Sequence, residues 1–314
     1  MKIVILGAGA IGRLFGVFLA RGGHQIVLVD PDQEIVDTLN KQGIGFMEAG
    51  GIDPDAVSYV KTTAVNHAAD IESCDLVLLA VKSFDTLSAV QAAQHLISRT
   101  SPVITLQTGL GNIEQLERVV DRDHIIGGFT FMAATSLGSG IVRQGGTGKT
   151  YLGELDGRSG KRLQTVCSTF NDSGLECSPV NRIIGRLWCK VIVFSAINAV
   201  TSILQIKNGQ LLDSMESITL LKRLIDEGRK VAETQAIDLV FHDLYELLFA
   251  ACKRTDQNLS SMLQDILAEK QTEIDAQCGA LVKLGEQAGV STPTQQTMLE
   301  LVQLISKKHH NSVA

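Results

Sequence analysis

The stretch Lys2-Ile-Val-Ile-Leu-Gly-Ala-Gly-Ala-Ile-Gly12 decides the fold, because a short apolar run leads directly into the spacing G-x-G-x-x-G. A helical pattern continues from these glycines through Ala20. In a dinucleotide-binding turn the first glycine permits the bend, the second admits a pyrophosphate, and the third packs helix on strand. Free N–H groups at the helix start then bind phosphate. The predicted cofactor-binding residues are Gly7, Ala8, Gly9, Ala10, Ile11 and Gly12; the alternative is a glycine-rich turn without a ligand.

An acid follows the glycine turn at the expected distance. The second predicted strand, Gln25 to Val29, ends at Asp30, about 20 residues past the glycines, where a carboxylate bonds the adenosine ribose. This carboxylate would repel the 2′-phosphate of NADPH, and no arginine follows directly. We therefore predict NADH or NADPH as the cofactor, with NADH favoured. The alternative is that Asp30 caps the helix after Pro31.

Strands alternate with helices over the first half of the chain, which predicts a parallel, doubly wound sheet. Glycines between residues 138 and 150 indicate hairpins, and from Asn181 onward the pattern is almost wholly helical. The predicted fold is α/β, with an N-terminal Rossmann-type doubly wound parallel sheet followed by an all-α C-terminal domain. We place a dinucleotide-binding domain at residues 1–180 and a helical substrate and catalytic domain at 181–314. Further strands are expected at 75–81, 103–107, 125–132 and near 177, and helices at 33–41, 86–97, 112–120 and 161–173.

Composition excludes several classes of protein. The formal net charge is -6 with no basic block, which argues against nucleic acid and anionic membranes as partners. Six scattered cysteines without C-x-x-C spacing predict no metal site and a reducing compartment. Arg13 and four glycines interrupt the apolar N-terminus, which argues against a signal peptide. We expect a cytoplasmic protein that acts on a small molecule.

One apparent nucleotide motif is rejected. Gly146-Thr-Gly-Lys-Thr150 resembles the end of a P-loop, but Arg143 stands where the first glycine is required. The segment also leads into a strand-like run and not into a helix. We predict a hairpin turn here.

Two other segments follow predicted strands, where ligands bind in open α/β sheets. They are Val81-Lys82-Ser83 and Thr108-Gly-Leu-Gly111. Lys82 could equally be a surface charge, and the second segment a plain loop.

The run from Leu187 to Thr201 is apolar nearly all round and should form a buried helix. Its chief polar exceptions, Lys190 and Asn198, are eight residues apart, roughly 80° around a helix axis, so both can reach one cleft. A buried lysine must be paired or lose its proton. The alternative is a lysine that extends to solvent from a helix end.

With these motifs the chain resembles the ketopantoate reductase (2-dehydropantoate 2-reductase) family over nearly its whole length. The resemblance rests on the glycine turn, Val-Lys-Ser at 81–83, Leu-Trp-x-Lys at 187–190, Ile-Asn-x-x-Thr at 197–201, Asn208-Gly209, and the segments 260–265 and 272–275. Members of the family reduce the 2-keto group of ketopantoate to (R)-pantoate, in pantothenate biosynthesis.

The resemblance implies roles for individual residues. Lys190 would be the general acid, and Glu273 an acid near the cofactor and that lysine. Each assignment has an alternative: Ser261 resembles a capping-box residue with Gln264, Glu273 an exposed helix charge, and Asn208 a turn residue before a glycine. The implied substrate-binding residues are Asn198, Asn208 and Ser261, and the implied additional cofactor-binding residues are Lys82 and Thr108.

The chain departs from the family's pattern at four places. Thr108 and Phe194 stand where the family has asparagines, Cys278-Gly279 where it often has Asn-Gly, and Asp30 where NADPH-using members carry a basic residue. Loss of amide groups weakens discrimination for a hydroxylated substrate. Two alternatives therefore stay open, a paralogous reductase of another small 2-oxo acid and a non-catalytic NAD(H)-binding sensor. The apolar helical domain is also compatible with a homodimer.

Overall fold

A computed structural model describes residues 1–51, 53, 56–138 and 140–311. Contacts divide the chain into two compact units. The sheet unit comprises Met1–Gln107 and Asn112–Ile183, and the helical unit comprises Thr108–Gly111 and Ile184–Ala314. The predicted division at residue 180 does not separate Thr108–Gly111, which interrupts the sheet unit in sequence yet belongs with the helices.

A large sheet forms the centre of the sheet unit and confirms the predicted doubly wound architecture. Strand β1 lies in its middle, between β2 and β6, and pairs with both in parallel. Because both faces of β1 are covered, its side chains from Ile3 to Leu6 are apolar and buried, as in other buried parallel strands. Its strands, in spatial order, are β12 (Cys177–Pro179), β11 (Thr150–Glu154), β8 (Ile125–Thr130), β7 (Val103–Thr105), β6 (Leu76–Leu79), β1 (Lys2–Leu6), β2 (Gln25–Val29) and β5 (Thr63–Val65), and of these described pairs only β8 and β11 are antiparallel.

The helices of this unit agree with the predicted ones, although two are shorter. The predicted helices 86–97 and 112–120 contract to α3 and α4. The helices are α1 (Ala10–Arg21), α2 (Gln33–Gln42), α3 (Thr86–Ala92), α4 (Asn112–Leu116) and α5 (Lys161–Asp172).

A second, small sheet was not predicted as such. Its order is β4 (Ser58–Val60), β3 (Ile44–Met47), β10 (Ile141–Gly146) and β9 (Ala133–Ser136). The pair β9–β10 is the expected hairpin. The buried Arg13 of α1 ties this sheet to the glycine turn, since its guanidinium donates to Ser136 Oγ (2.5 Å) and to the carbonyl of Ile141 (3.2 Å).

The predicted hairpin turn at Gly146–Thr150 is wrong. The segment leads from β10 in the small sheet to β11 in the large sheet, so the two strands do not pair with each other. The segment therefore connects the two sheets, and the element that follows it is a strand and not a helix.

In the helical unit the described secondary structure is helical. Its core surrounds α6 (Ile183–Leu204). By length and composition α6 could cross a membrane, but most of it is buried inside the protein. This burial confirms the predicted buried helix and identifies α6 as a core helix. The remaining helices are α7 (Met215–Thr234), α8 (Leu244–Arg254), α9 (Ser261–Leu267), α10 (Cys278–Ala288) and α11 (Pro293–Asn311).

Candidate active site

The glycine turn has the conformation that its sequence predicts. Gly7 has φ +100°, and its N–H donates to the carbonyl of Val29 (2.8 Å). A Cβ on Gly12 would lie 2.0 Å from the carbonyl oxygen of Gly7, so only glycine allows α1 to start here. A Cβ on Gly9 would meet nothing within 4 Å, which leaves its backbone open to a ligand. A tight turn with one open face before a helix N-terminus fits a pyrophosphate.

Asp30 is anchored beside this turn. Its Oδ2 accepts a hydrogen bond from the N–H of Ala8 (2.8 Å), and its Oδ1 accepts one from the N–H of Asp32 (3.1 Å). The cap of α2 is Asp32, whose carboxylate accepts from the N–H groups of Glu34 and Ile35. The alternative reading of Asp30 as that cap is therefore wrong, and its carboxylate is held rigidly where a ribose is expected.

The ends of β6 and β7 are joined by a residue that sequence reasoning missed. Gln107 donates through Nε2 to the carbonyl of Val81 (2.9 Å) and to the hydroxyl of Thr86 (2.7 Å). Lys82 follows Val81, is partly exposed, and precedes a short 3₁₀ turn. A glutamine at the end of an apolar strand was the signal for this network. It fixes the edge of the sheet from which Lys82 extends.

In the helical unit, α6 places Lys190, Phe194 and Asn198 on one face. Burial lowers the pKa of Lys190 to about 8, and the negative charge of Glu273 opposes that shift. The ammonium also lies 5.8 Å from the centre of the Phe194 ring, within the range of a cation–π interaction. The structure thus brings together Lys190 and Glu273, which are far apart in the sequence, and places the apolar ring of Phe194 beside the lysine.

Asn198 is held by a partner that was not predicted. Its Nδ2 donates to Oε1 of Gln277 (2.9 Å), and both residues are almost fully buried. Nothing in the sequence marks Gln277, because its partner is distant along the chain. The pair joins α6 to the start of α10.

The Thr108–Gly111 loop contacts the same region of the helical unit. The N–H of Leu110 donates to the carbonyl of Ala276 (2.8 Å). Gly109 has φ +114°, and a Cβ there would lie 2.8 Å from the side chain of Ala276. The segment from Glu273 to Gln277 therefore interacts with Lys190, Asn198 and the loop that carries Thr108.

Asn208 and Ser261 have different surroundings. The Nδ2 of Asn208 donates to the hydroxyl of Thr255 (2.9 Å), and its Oδ1 is buried without a hydrogen bond. Ser261 is exposed and is the first residue of α9, whereas Ser260 is the cap, accepting from the N–H of Leu263 (3.2 Å). The capping role considered for Ser261 thus belongs to its neighbour. Their roles in substrate binding remain predictions.

Among the described residues, Asp121, Asp123 and His124 are close enough together to hold a metal ion. Asp123 already pairs with His124 (3.5 Å) and with Arg99 (3.8 Å), and both acids are exposed. These contacts describe a surface charge cluster, and we assign no metal site to it.

Comparisons with known proteins identify the family of this chain. Residues 3–157 match the family model "Ketopantoate reductase PanE/ApbA", and residues 182–306 match its C-terminal counterpart. The chain is 32% identical to the 2-dehydropantoate 2-reductase of Pyrococcus abyssi, over 96% of this chain and 97% of that protein. It is 34% identical to that of Pyrococcus horikoshii, over 96% of each.

Solved structures show the same fold. A ternary structure of D-mandelate dehydrogenase with NADH and anilino(oxo)acetate superposes with a TM-score of 0.89 at 26% identity, over 99% of each chain. A PanE/ApbA family ketopantoate reductase from Ralstonia eutropha superposes with a TM-score of 0.87 at 26% identity, over 99% of this chain and 100% of that chain. The family models together span most of the sequence, and the chain belongs to the ketopantoate reductase family.

Proposed function

We propose that this protein is a 2-dehydropantoate 2-reductase, an oxidoreductase that reduces ketopantoate to (R)-pantoate with NADH or NADPH in pantothenate biosynthesis. The observation that carries the proposal is the placement of Glu273 near the buried ammonium of Lys190. Full-length relatives that carry this name, at 32% and 34% identity, support it. A sensor that only binds nucleotide has no need of an ammonium with a lowered pKa.

The residues present fit a dinucleotide. The open backbone at Gly9, the N-terminus of α1 and the anchored carboxylate of Asp30 would hold its pyrophosphate and adenosine ribose. Lys82, at the edge fixed by Gln107, would contact the same molecule, and we keep Thr108 as a proposed contact. The bound nicotinamide supplies a hydride. The residues of the chain itself supply binding, orientation and a proton.

Lys190 donates the proton. As the keto carbon is reduced, negative charge develops on the carbonyl oxygen, and the protonated Nζ of Lys190 bonds that oxygen and transfers its proton to it. Burial makes this proton easier to give up, because it lowers the pKa of Lys190 to about 8. The charge of Glu273 keeps the pKa from falling further, so the lysine remains mainly protonated at neutral pH.

The amide and hydroxyl side chains orient the substrate. Asn198 lies on the same face of α6 as Lys190, and we propose that it bonds the 2-oxo acid; Asn208 and Ser261 are proposed to do the same. Correct orientation of a carbonyl toward its proton donor accounts for a large part of a rate enhancement.

The proposed cofactor preference is for NADH. The carboxylate of Asp30 is fixed by two backbone N–H groups and cannot easily turn away from a 2′-phosphate. A fixed negative charge beside the adenosine ribose would repel the 2′-phosphate of NADPH in this partly buried site. We expect kcat/KM for NADH to exceed that for NADPH, and a tenfold preference for NADPH would contradict this assignment.

A second candidate function is the reduction of another small 2-oxo acid. Phe194 beside Lys190 presents an apolar ring where a hydroxylated substrate would need a hydrogen bond. The similarity to a D-mandelate dehydrogenase solved with NADH and an oxo acid favours the same alternative.

One assay separates the candidates. Purified protein is mixed with NADH or NADPH and a panel of 2-oxo acids that includes ketopantoate, 2-oxo-3-methylbutanoate and phenylglyoxylate, and the loss of nicotinamide absorbance is followed. The first proposal predicts the highest kcat/KM with ketopantoate, and the second predicts it with an acid that lacks the hydroxyl group. Cofactor binding without oxidation by any acid would refute both.

Two proposals concern the whole molecule. We propose that the protein is cytoplasmic and forms a homodimer. Fractionation of cells and light scattering coupled to size-exclusion chromatography test these statements. A membrane-bound fraction or a monomer at micromolar concentration would contradict them.

A further inference from the structure

Asn198 and Gln277 form a buried hydrogen bond between two amide side chains of the helical unit. Asn198 is 4% exposed and Gln277 is 1% exposed, and the bond between them measures 2.9 Å. Two amides buried in an apolar core are costly unless they bond each other, and they are kept where they specify an arrangement. This pair joins the helix that carries Lys190 to the segment that carries Glu273.

The bond restricts the Asn198 side chain. Rotation of the Asn198 amide about χ2 would separate Nδ2 from Oε1 of Gln277 and break the hydrogen bond between these two buried groups. With one hydrogen of Nδ2 used by Gln277, the other hydrogen and Oδ1 remain to meet a substrate. The orientation of these groups is therefore set by Gln277.

Gln277 is itself held in place. Its backbone N–H donates to the carbonyl of Ile274 (3.2 Å), and its carbonyl accepts from the N–H of Leu281 at the start of α10 (3.2 Å). It also follows Ala276, whose carbonyl accepts from the N–H of Leu110. The backbone of Gln277 is thus hydrogen-bonded both to the residues before it and to α10 after it. This holds the Gln277 side chain in a fixed position relative to Asn198.

The geometry points to Gln277 as a positioning residue, which acts on the 2-oxo acid through Asn198 and does not itself touch the reacting atoms. The inference rests on the proposed function, because it needs Asn198 to contact the substrate. It adds a residue that neither the family's motif nor the sequence pattern singles out. Its effect should appear in the turnover of the 2-oxo acid more than in nucleotide binding, since the side chain that Gln277 holds is Asn198, a proposed substrate-binding residue.

A double-mutant cycle tests the inference. Gln277→Met preserves the size of the side chain and removes the bond, and we expect kcat/KM for the 2-oxo acid to fall by about ten- to a hundredfold, mostly in kcat. Gln277→Glu keeps an acceptor for Asn198 but buries a carboxylate, so it should restore part of the kcat/KM lost in Gln277→Met while lowering Tm. In an Asn198→Ala background, Gln277→Met should change kcat/KM by less than about twofold, because its route to the substrate is gone.

Gln295 provides a matched control. It is a fully buried glutamine of the same unit, whose Nε2 donates to the carbonyl of Leu224 (3.0 Å). Gln295→Met should lower Tm and leave kcat/KM within about twofold of the wild type, as expected for the loss of a structural hydrogen bond. If Gln277→Met does not fold, Gln277→Ser, which is too short to reach Asn198, replaces it in the cycle.

The outcomes separate the two proposals. The positioning role would be overturned if Gln277→Met lowered kcat/KM by the same factor in the wild type and in the Asn198→Ala background. It would also be overturned if Gln295→Met lowered kcat/KM as much as Gln277→Met does. In both cases the wild-type activity, and with it the proposed function, would stand. Calorimetry of 2-oxo acid binding to the enzyme–NAD⁺ complex gives a readout without turnover. A wild-type protein that neither binds nor reduces any 2-oxo acid would overturn the proposed function, and the positioning role with it.

Discussion

The alkaline pH dependence of the reduction depends on Lys190 and Glu273. Burial lowers the pKa of Lys190 to about 8 against the opposing charge of Glu273. The reduction needs the protonated amine, so kcat/KM for the 2-oxo acid should be level at low pH and fall as pH rises through about 8. With that pKa, about nine-tenths of the lysine is protonated at pH 7 and about one-tenth at pH 9, so kcat/KM should drop about tenfold over this range.

Glu273→Gln removes the charge that raises the pKa of Lys190 and keeps the shape of the side chain. The alkaline limb should move to lower pH by about one pH unit, the scale expected for loss of a nearby opposite charge. In the reverse direction, oxidation of the hydroxy acid needs neutral Lys190, so that rate should rise with pH through the same value. Glu286→Gln, an exposed acid on α10, is the matched control and should leave both profiles unchanged.

Initial rates at saturating NADH from about pH 6 to pH 10, for wild type and both variants, give the measurement. An alkaline limb that stays in place in Glu273→Gln, or moves to higher pH, would refute the electrostatic role of Glu273. A wild-type rate that is flat through pH 9 would refute Lys190 as the proton donor.

Four further substitutions test other parts of the structure. Lys190→Ala should lower kcat by about 10²–10⁴-fold, whereas Lys207→Ala, which removes an exposed lysine bonded to a glutamine, should not; equal turnover would contradict the assignment. Asp30→Ala should lower the ratio of kcat/KM for NADH to that for NADPH at least about tenfold, and an unchanged ratio would argue against its role. Gly12→Ala should abolish NADH binding measured by fluorescence titration, because its Cβ would lie 2.0 Å from the carbonyl of the first glycine in the turn; normal affinity would contradict the geometry. Glu227→Ala should reduce the free energy of unfolding by about 1–3 kcal/mol in urea titrations, because its carboxylate accepts from two N–H groups at the start of α11, and unaltered stability would show that the cap is dispensable.

The parts of the fold that the sequence predicts well are those with strong local signals. Strands β1 and β2 match their predicted bounds because apolar runs end there at a glycine turn and at an acid. The small sheet escaped prediction in part because three of its strands have only three or four residues; Ser58–Val60 has three residues and little alternation. Strand pairing of this kind depends on partners far along the chain.

The residues of the candidate site also divide into those with a local signal in the sequence and those without one. Lys190 and Asn198 could be found because they are polar exceptions on an apolar helix. Gln277 could not be found, because a single glutamine before a helix has many ordinary roles and its partner is 79 residues away. The predicted pairing of Lys190 with Glu273 came from a family resemblance, and the structure supplies its electrostatic basis.

The irregular conformation of the segment from Glu273 to Gln277 suits the helix that it faces. Lys190 and Asn198 are separated by about 12 Å along α6, at 1.5 Å per residue. Four residues of α-helix would advance only about 6 Å, whereas four residues of 3₁₀-helix advance about 8 Å and an extended segment advances more. The segment contains a 3₁₀ turn at Ile274–Ala276 and then a non-helical residue, Gln277, with φ −108° and ψ −98°. Extending α10 backward through Glu273 would shorten this reach, so the interruption brings the segment closer to the spacing of Lys190 and Asn198, and no periodic pattern in the sequence encodes it.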